Sequence, residues 1–170
     1  MAIVASDLKF YLSGGAGNSD PDASLGGIIS TTEITDASDN NLFDDVTGDE
    51  ASSGDTEYRG FYLKNEHGTI TLQNSVIWFS ANTTSADDTL NMALAGEGVN
   101  ATMETIADES TAPSGESFSA PASKGAGLSV GNVAAGERYG IWLQRVVNSS
   151  ASAVNGNSAT INWEGDTAAS

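Results

Sequence analysis

The chain has 170 residues and a formal net charge of −17, with 23 acidic residues against six lysines and arginines, and it contains no cysteine. That length suits one domain with a real core rather than two. The charge argues against a nucleic-acid partner and against an anionic membrane surface, which both need clustered cations, and the missing thiols exclude disulfides and thiolate metal sites.

The carboxylates are dispersed through Ser-, Thr-, Gly- and Ala-rich loops. Dispersed acid with scarce lysine keeps a surface hydrated and mutually repulsive, which suits a saline, halophilic setting. The opening "MAIVASDLKF" lacks the basic start and sustained apolar run of a signal peptide. No stretch has the apolar length of a membrane-spanning helix. The expectation is a chain made and folded in a cytoplasm.

Taken in chain order, the pattern is of strands. "DLKFYL" alternates, with Leu8, Phe10 and Leu12 on one face. Residues 1–20 are expected to supply this strand and a docking arm, and residues 21–170 the main domain. "DASDNNLFDDVTGDE" crowds Asp36, Asp39, Asp44, Asp45, Asp49 and Glu50 into one region. Such oxygens could hold calcium, but the spacing is not that of an EF-hand, and a solvated acidic loop is the preferred reading. "EYRGFYLKN" puts Arg59, Phe61 and Leu63 on one side and Tyr58, Gly60, Tyr62 and Lys64 on the other. "NEHG" then reads as a tight turn into "TITLQNSVIWFS", with Ile70, Leu72, Val76 and Trp78 in phase, so the two strands are expected to form a hairpin.

"TLNMALA" aligns Leu90, Met92 and Leu94, and "NATMETIADE" has the spacing of a short helical turn. "GLSVGNV" offers Leu128, Val130 and Val133, which implies a bulge near Gly131. "ERYGIWLQRVV" aligns Tyr139, Ile141, Leu143, Arg145 and Val147, and "SATINW" adds a last strand. Many short strands separated by turn signals predict an all-β, single-domain antiparallel β-sandwich, jelly-roll or Ig-like.

No catalytic constellation emerges. His67, the single histidine, sits in the "NEHG" turn without an identifiable nucleophile. Asp87-Asp88 and Asp108-Glu109 are adjacent pairs whose members point to different sides, which is not the arrangement of a carboxylate couple. Neither a metal site nor a cofactor is expected. Arg59 and Arg145 are cations on strands in a surplus of acid; each has a choice of carboxylates, within the chain or across a subunit boundary.

Three pieces, "DLKFYLSGGAGNSDPDASLGG", "NLFDDVTGDEASSGDTEYRGFYLKN" and "GIWLQRVVN…INWEGDTA", together resemble small β-rich virion proteins of tailed phages and tailed archaeal viruses. The resemblance covers most of the chain and is weakest around residues 96–126. It implies a non-enzymatic building block of a particle. The expected role is a capsid decoration (cement) protein, a homo-oligomer and most simply a trimer, contacting the major capsid protein or other virion subunits through Phe10, Tyr11, Arg59 and Arg145. A tail, baseplate or head-tail connector component is the alternative, with "TGDEASSGDTE" as an inserting loop. A carbohydrate-binding β-sandwich using Trp78, Trp142 or Trp163 as a platform is the third.

Overall fold

The computed structural model describes residues 2–167. Among these the strands are β1 (Leu8–Leu12), β2 (Gly26–Gly27), β3 (Asp55–Asn65), β4 (Leu72–Ala81), β5 (Asp88–Leu94), β6 (Met103–Thr105), β7 (Leu128–Val133), β8 (Arg138–Val147) and β9 (Thr160–Asp166). A single α-helix among the described residues, α1, spans Gly48–Ser53. A four-stranded sheet runs β1-β3-β8-β5, a three-stranded sheet runs β7-β4-β9, and β2 pairs with β6. The ladders are antiparallel. The protein is an all-β sandwich.

The four-stranded sheet is buried on both faces. One face carries Leu12, Phe61, Leu63, Met92, Ile141 and Leu143 against Leu72, Ile77, Phe79, Val133 and Trp163 of the three-stranded sheet. The other carries Tyr58, Tyr62, Ala93 and Trp142 against Met103, Ile106, Leu25 and Phe118. Double coverage explains why both faces of the central stretches Tyr58–Leu63 of β3 and Ile141–Leu143 of β8 are buried. Each fully buried aliphatic side chain contributes about 1.5–3 kcal/mol.

The second layer approaches closely because glycines face it. A Cβ on Gly140 would lie 2.7 Å from Met103 Sδ, and one on Gly60 would lie 2.9 Å from Met103 Cε. Tyr62 fastens the layer: its hydroxyl donates to Gly27 O at 2.6 Å and accepts from Met103 N at 2.9 Å. Residues 100–109 therefore do not form the helical turn expected from "NATMETIADE". Met103 and Ile106 are drawn into this second core, and strand β6 is the result.

The expected hairpin is also absent. β3 and β4 belong to different sheets, so "NEHG" is a corner between layers. Asn65 fixes that corner by donating to Ile70 O and Val133 O and accepting from His67 N. His67 Nδ1 accepts from the backbone N–H groups of Thr69 and Ile70. From β3 onwards the seven-stranded sandwich alternates sheets: β3, β5 and β8 lie in one, β4, β7 and β9 in the other. Setting aside β2 and β6, the division is four plus three, as in an immunoglobulin constant domain. The order differs, because here the sixth strand of the seven, not the fifth, lies between the second and fourth.

Bulges correct the phase of β4. The β4–β7 register shifts between Leu72 and Ser75 and again between Ser75 and Val76, with Asn74 at φ 51°. An inserted residue flips the facing of everything beyond it. Ile77 and Phe79 thus join Leu72 in the core between the sheets, where Val76 and Trp78 were expected; Trp78 is still buried, but outside that cluster, and Val76 is half-buried. The bulge anticipated at Gly131 is present on β7, with φ +83° there and both Val130 and Val133 buried.

The N-terminal residues supply the expected strand. β1 pairs with β3 from Leu8↔Asn65 to Leu12↔Phe61, and Leu12 and Ser13 are buried. The acidic segment is solvated as expected at Asp36, Asp39, Asp45 and Asp49, but it is pinned at its middle and at its end. Leu42 enters the core, and Thr47 caps α1 by accepting from Glu50 N while Glu50 Oε2 accepts from Thr47 N. The helix docks on its own chain through Ser150 N to Ser52 O and Ala151 N to Ala51 O, so "TGDEASSGDTE" is not an extended inserting loop.

Candidate functional site

The four residues singled out from sequence fall in three places. Arg59 and Arg145 share one: strand period places Glu57, Arg59, Phe61 and Leu63 on the sandwich face of β3, with Glu57 opposite Arg145 on β8. Arg59 is 0% and Arg145 5% exposed. Arg145 donates from Nε to Glu57 Oε2 at 2.5 Å, from Nη1 to Asp44 O at 2.5 Å, and from Nη2 to Asp44 Oδ1 at 3.2 Å. Arg59 donates from Nη2 to Glu109 and from Nη1 to Tyr58 O, with Asp22 3.6 Å away. Phe43 lies against both guanidinium groups, 4.9 Å from that of Arg145 and 5.6 Å from that of Arg59.

The two arginines are thus internal ties, not surface forks for a neighbouring subunit. Arg145 ties the acidic segment to the sandwich through Asp44, Arg59 ties Asp22 and Glu109, and Phe43 packs on both guanidinium groups while Leu42 enters the core. Burial pushes the Glu57 carboxyl above its ordinary range, against the pull of Arg145. Burial also raises Asp88, which Arg145 and an Asn157 hydrogen bond partly offset. Glu57 was legible as an in-phase neighbour of Arg59. "NLF" within the acidic run was the signal for the anchor, and Thr47-x-x-Glu50 the signal for the helix cap.

Phe10 occupies the second place. It packs edge-on against Phe61, with ring centroids 5.5 Å apart, and lines a groove of about 590 Å³ between the two main sheets. Val4, Leu8 and Ile161 also line this groove along strand β9, together with the polar Asp36, Asn162 and Glu164. Val4 is 55% exposed. Tyr11, the next residue, points to the other face. It borders a hollow of about 480 Å³ with Ile28, Lys64 and Arg138, and its hydroxyl donates to Glu66. Burial first, then Glu66, push its pKa up to about 12.

The sheet edges are treated unequally. The outer edge of β1 is covered by residues 30–34, through Leu12 N to Thr32 O, Ser30 N to Leu12 O and Ile34 N to Phe10 O. On β5, the Asn82 side chain bonds both Leu90 N and Leu90 O, and Ser119 exchanges a bond pair with Met92. Among the described residues no loop backbone covers the outer edges of β7 and β9 in this way. The three tryptophans are buried, Trp78 at 7%, Trp142 at 0% and Trp163 at 6% exposure, and offer no exposed platform for a sugar.

The chain matches no family model, no curated protein and no solved structure. The likeness to virion proteins rests on the residues quoted for it above.

Proposed function

We propose that this chain is a non-enzymatic structural subunit of a virion, a decoration protein seated on the capsid lattice of a tailed virus. The observation that carries the reading is the open flank of the three-stranded sheet. Both edges of the other main sheet are blunted, whereas β9 borders a groove of mixed character, lined by Phe10 and the exposed Val4 and also by Asp36, Asn162 and Glu164. Natural proteins cover or blunt sheet edges, and an edge left open beside apolar side chains is a place for another chain. A lattice neighbour would cover it, and symmetric repetition would multiply a modest contact. Arg145 serves this role from within by tying the acidic segment to the sandwich through Asp44. The subunit works as a trimer bridging major capsid proteins, so that disruption of the head must break extra interfaces. No nucleic acid, membrane or cofactor enters the reading.

Immunogold labelling of particles released by cells that make this chain tests it. Label spread over the head supports the decoration role. Label confined to the tail replaces it with a tail or connector role, and particles without label overturn it.

A further inference from the structure

Beneath the capped helix, three carboxylates converge. Asp55 and Glu57, two apart on β3, share a face. Gly54, at φ +81°, reverses the chain at the end of α1 and sets Glu50 beside them. One oxygen from each of the three lies within 4.8 Å of the other two. Oxygens bound at about 2.3–2.6 Å from one centre span at most about 5 Å, so the three reach a common ion.

Acidic groups on a surface often gather without an ion, but Glu57 is not on the surface. It is 1% exposed, and its Oε1 is enclosed without any hydrogen-bond partner. No cation of the described chain serves that oxygen. Arg145 directs its Nε and Nη groups at Glu57 Oε2 and at Asp44, and Arg59 is engaged by Glu109, Asp22 and Tyr58 O. Asp44, Glu50, Asp55 and Glu57 therefore outnumber the one arginine among them. A buried carboxylate with an unpartnered oxygen, on a side chain that converges with two further acids, is a place for positive charge from outside the chain.

We infer that Glu50, Asp55 and Glu57 hold a hard divalent cation of the calcium class, with Glu57 Oε1 as the inward ligand. Calcium accepts an irregular all-oxygen set completed by water or backbone carbonyls, whereas magnesium demands a near-ideal octahedron. With three side-chain ligands and Arg145 close by, the affinity falls at the weak end, about 10⁻⁴ to 10⁻³ M. The ion would tie α1 and the start of β3 together beside the arginine clasp. This inference is independent of any role in a virion.

The test is calcium chloride titration of the full chain at a fixed, high sodium chloride concentration, which saturates diffuse counterion effects. Binding is read by calorimetry and by the thermal unfolding midpoint. The expected result is one saturable site that raises the midpoint. Asp55→Asn and Glu50→Gln should each weaken it about 10–100-fold, the range typical even of outer-sphere losses at metal sites. Glutamine preserves the helix cap, so Glu50→Gln separates ligation from folding. Asp166→Asn, at the other end of the sandwich on β9, should leave binding unchanged. Calcium that acts no differently from added sodium overturns the site, as does a calcium response undiminished in Asp55→Asn. Glu57→Gln is not the variant to rely on, because it also disturbs Arg145.

Discussion

Arg145 sits among core residues because its charge is answered inside the molecule. Its position in phase with Ile141 and Leu143 was visible in the sequence, and so was the acid surplus. Its partner was not, because Glu57 is 88 residues away and becomes adjacent only when β3 pairs with β8. Replacing one member of a buried pair leaves the other unanswered, at a cost of about 3–5 kcal/mol. Arg145→Ala should lower stability by that order in urea denaturation. Arg145→Met combined with Glu57→Leu should recover most of the loss, since a well-packed apolar pair can replace a buried ion pair. A loss below about 1 kcal/mol for Arg145→Ala would mean a solvated pair of the surface kind.

At the scale of elements, period-two alternation located β1, β3, β5, β7 and β8, and Gly131 marked its bulge. What it did not give was partnership. "NEHG" carries the residues of a tight turn whether the next strand returns alongside or crosses to the facing sheet. The choice is made by Asn65, which bonds Val133 O far along the chain. "NATMETIADE" shows the same limit: a three-residue strand held by Tyr62 leaves no periodic trace. The second layer depends on Gly140, where an added methyl meets Met103 Cγ, Met103 Sδ and Ala95 Cβ. Gly140→Ala should cost about 1–3 kcal/mol through overpacking. Shortening Met103 to alanine in that background should recover part of it in a double-mutant cycle; strictly additive losses would show that the two do not compete for space.

For the whole molecule, charge and burial push stability the same way with pH. Glu57 and Asp88 have folded pKa values raised by burial. In such groups the folded state holds more protons than the unfolded one. Their contribution is therefore complete below the ordinary carboxylate range of about 4 and is lost as pH rises through the folded values. Removing negative charge from a chain at −17 also relieves self-repulsion as pH falls. Glu66, held low by its bonds from Lys64 and Tyr11, opposes the trend but lies at the surface. The denaturant midpoint at low salt should be higher at pH 5 than at pH 7.5. A lower midpoint at pH 5 would show that paired carboxylates of the Glu66 kind dominate.

The alternation of successive strands between sheets has a mechanical consequence. A sheet built of hairpins can be peeled, one pair at a time, from a loose end. Here β3, β4, β5, β7, β8 and β9 cross from layer to layer, so no two of them joined directly by a loop form a ladder. Drawing one strand out of its sheet pulls at once on a strand of the facing sheet. The molecule has no zipper to open, and under load its layers must part together.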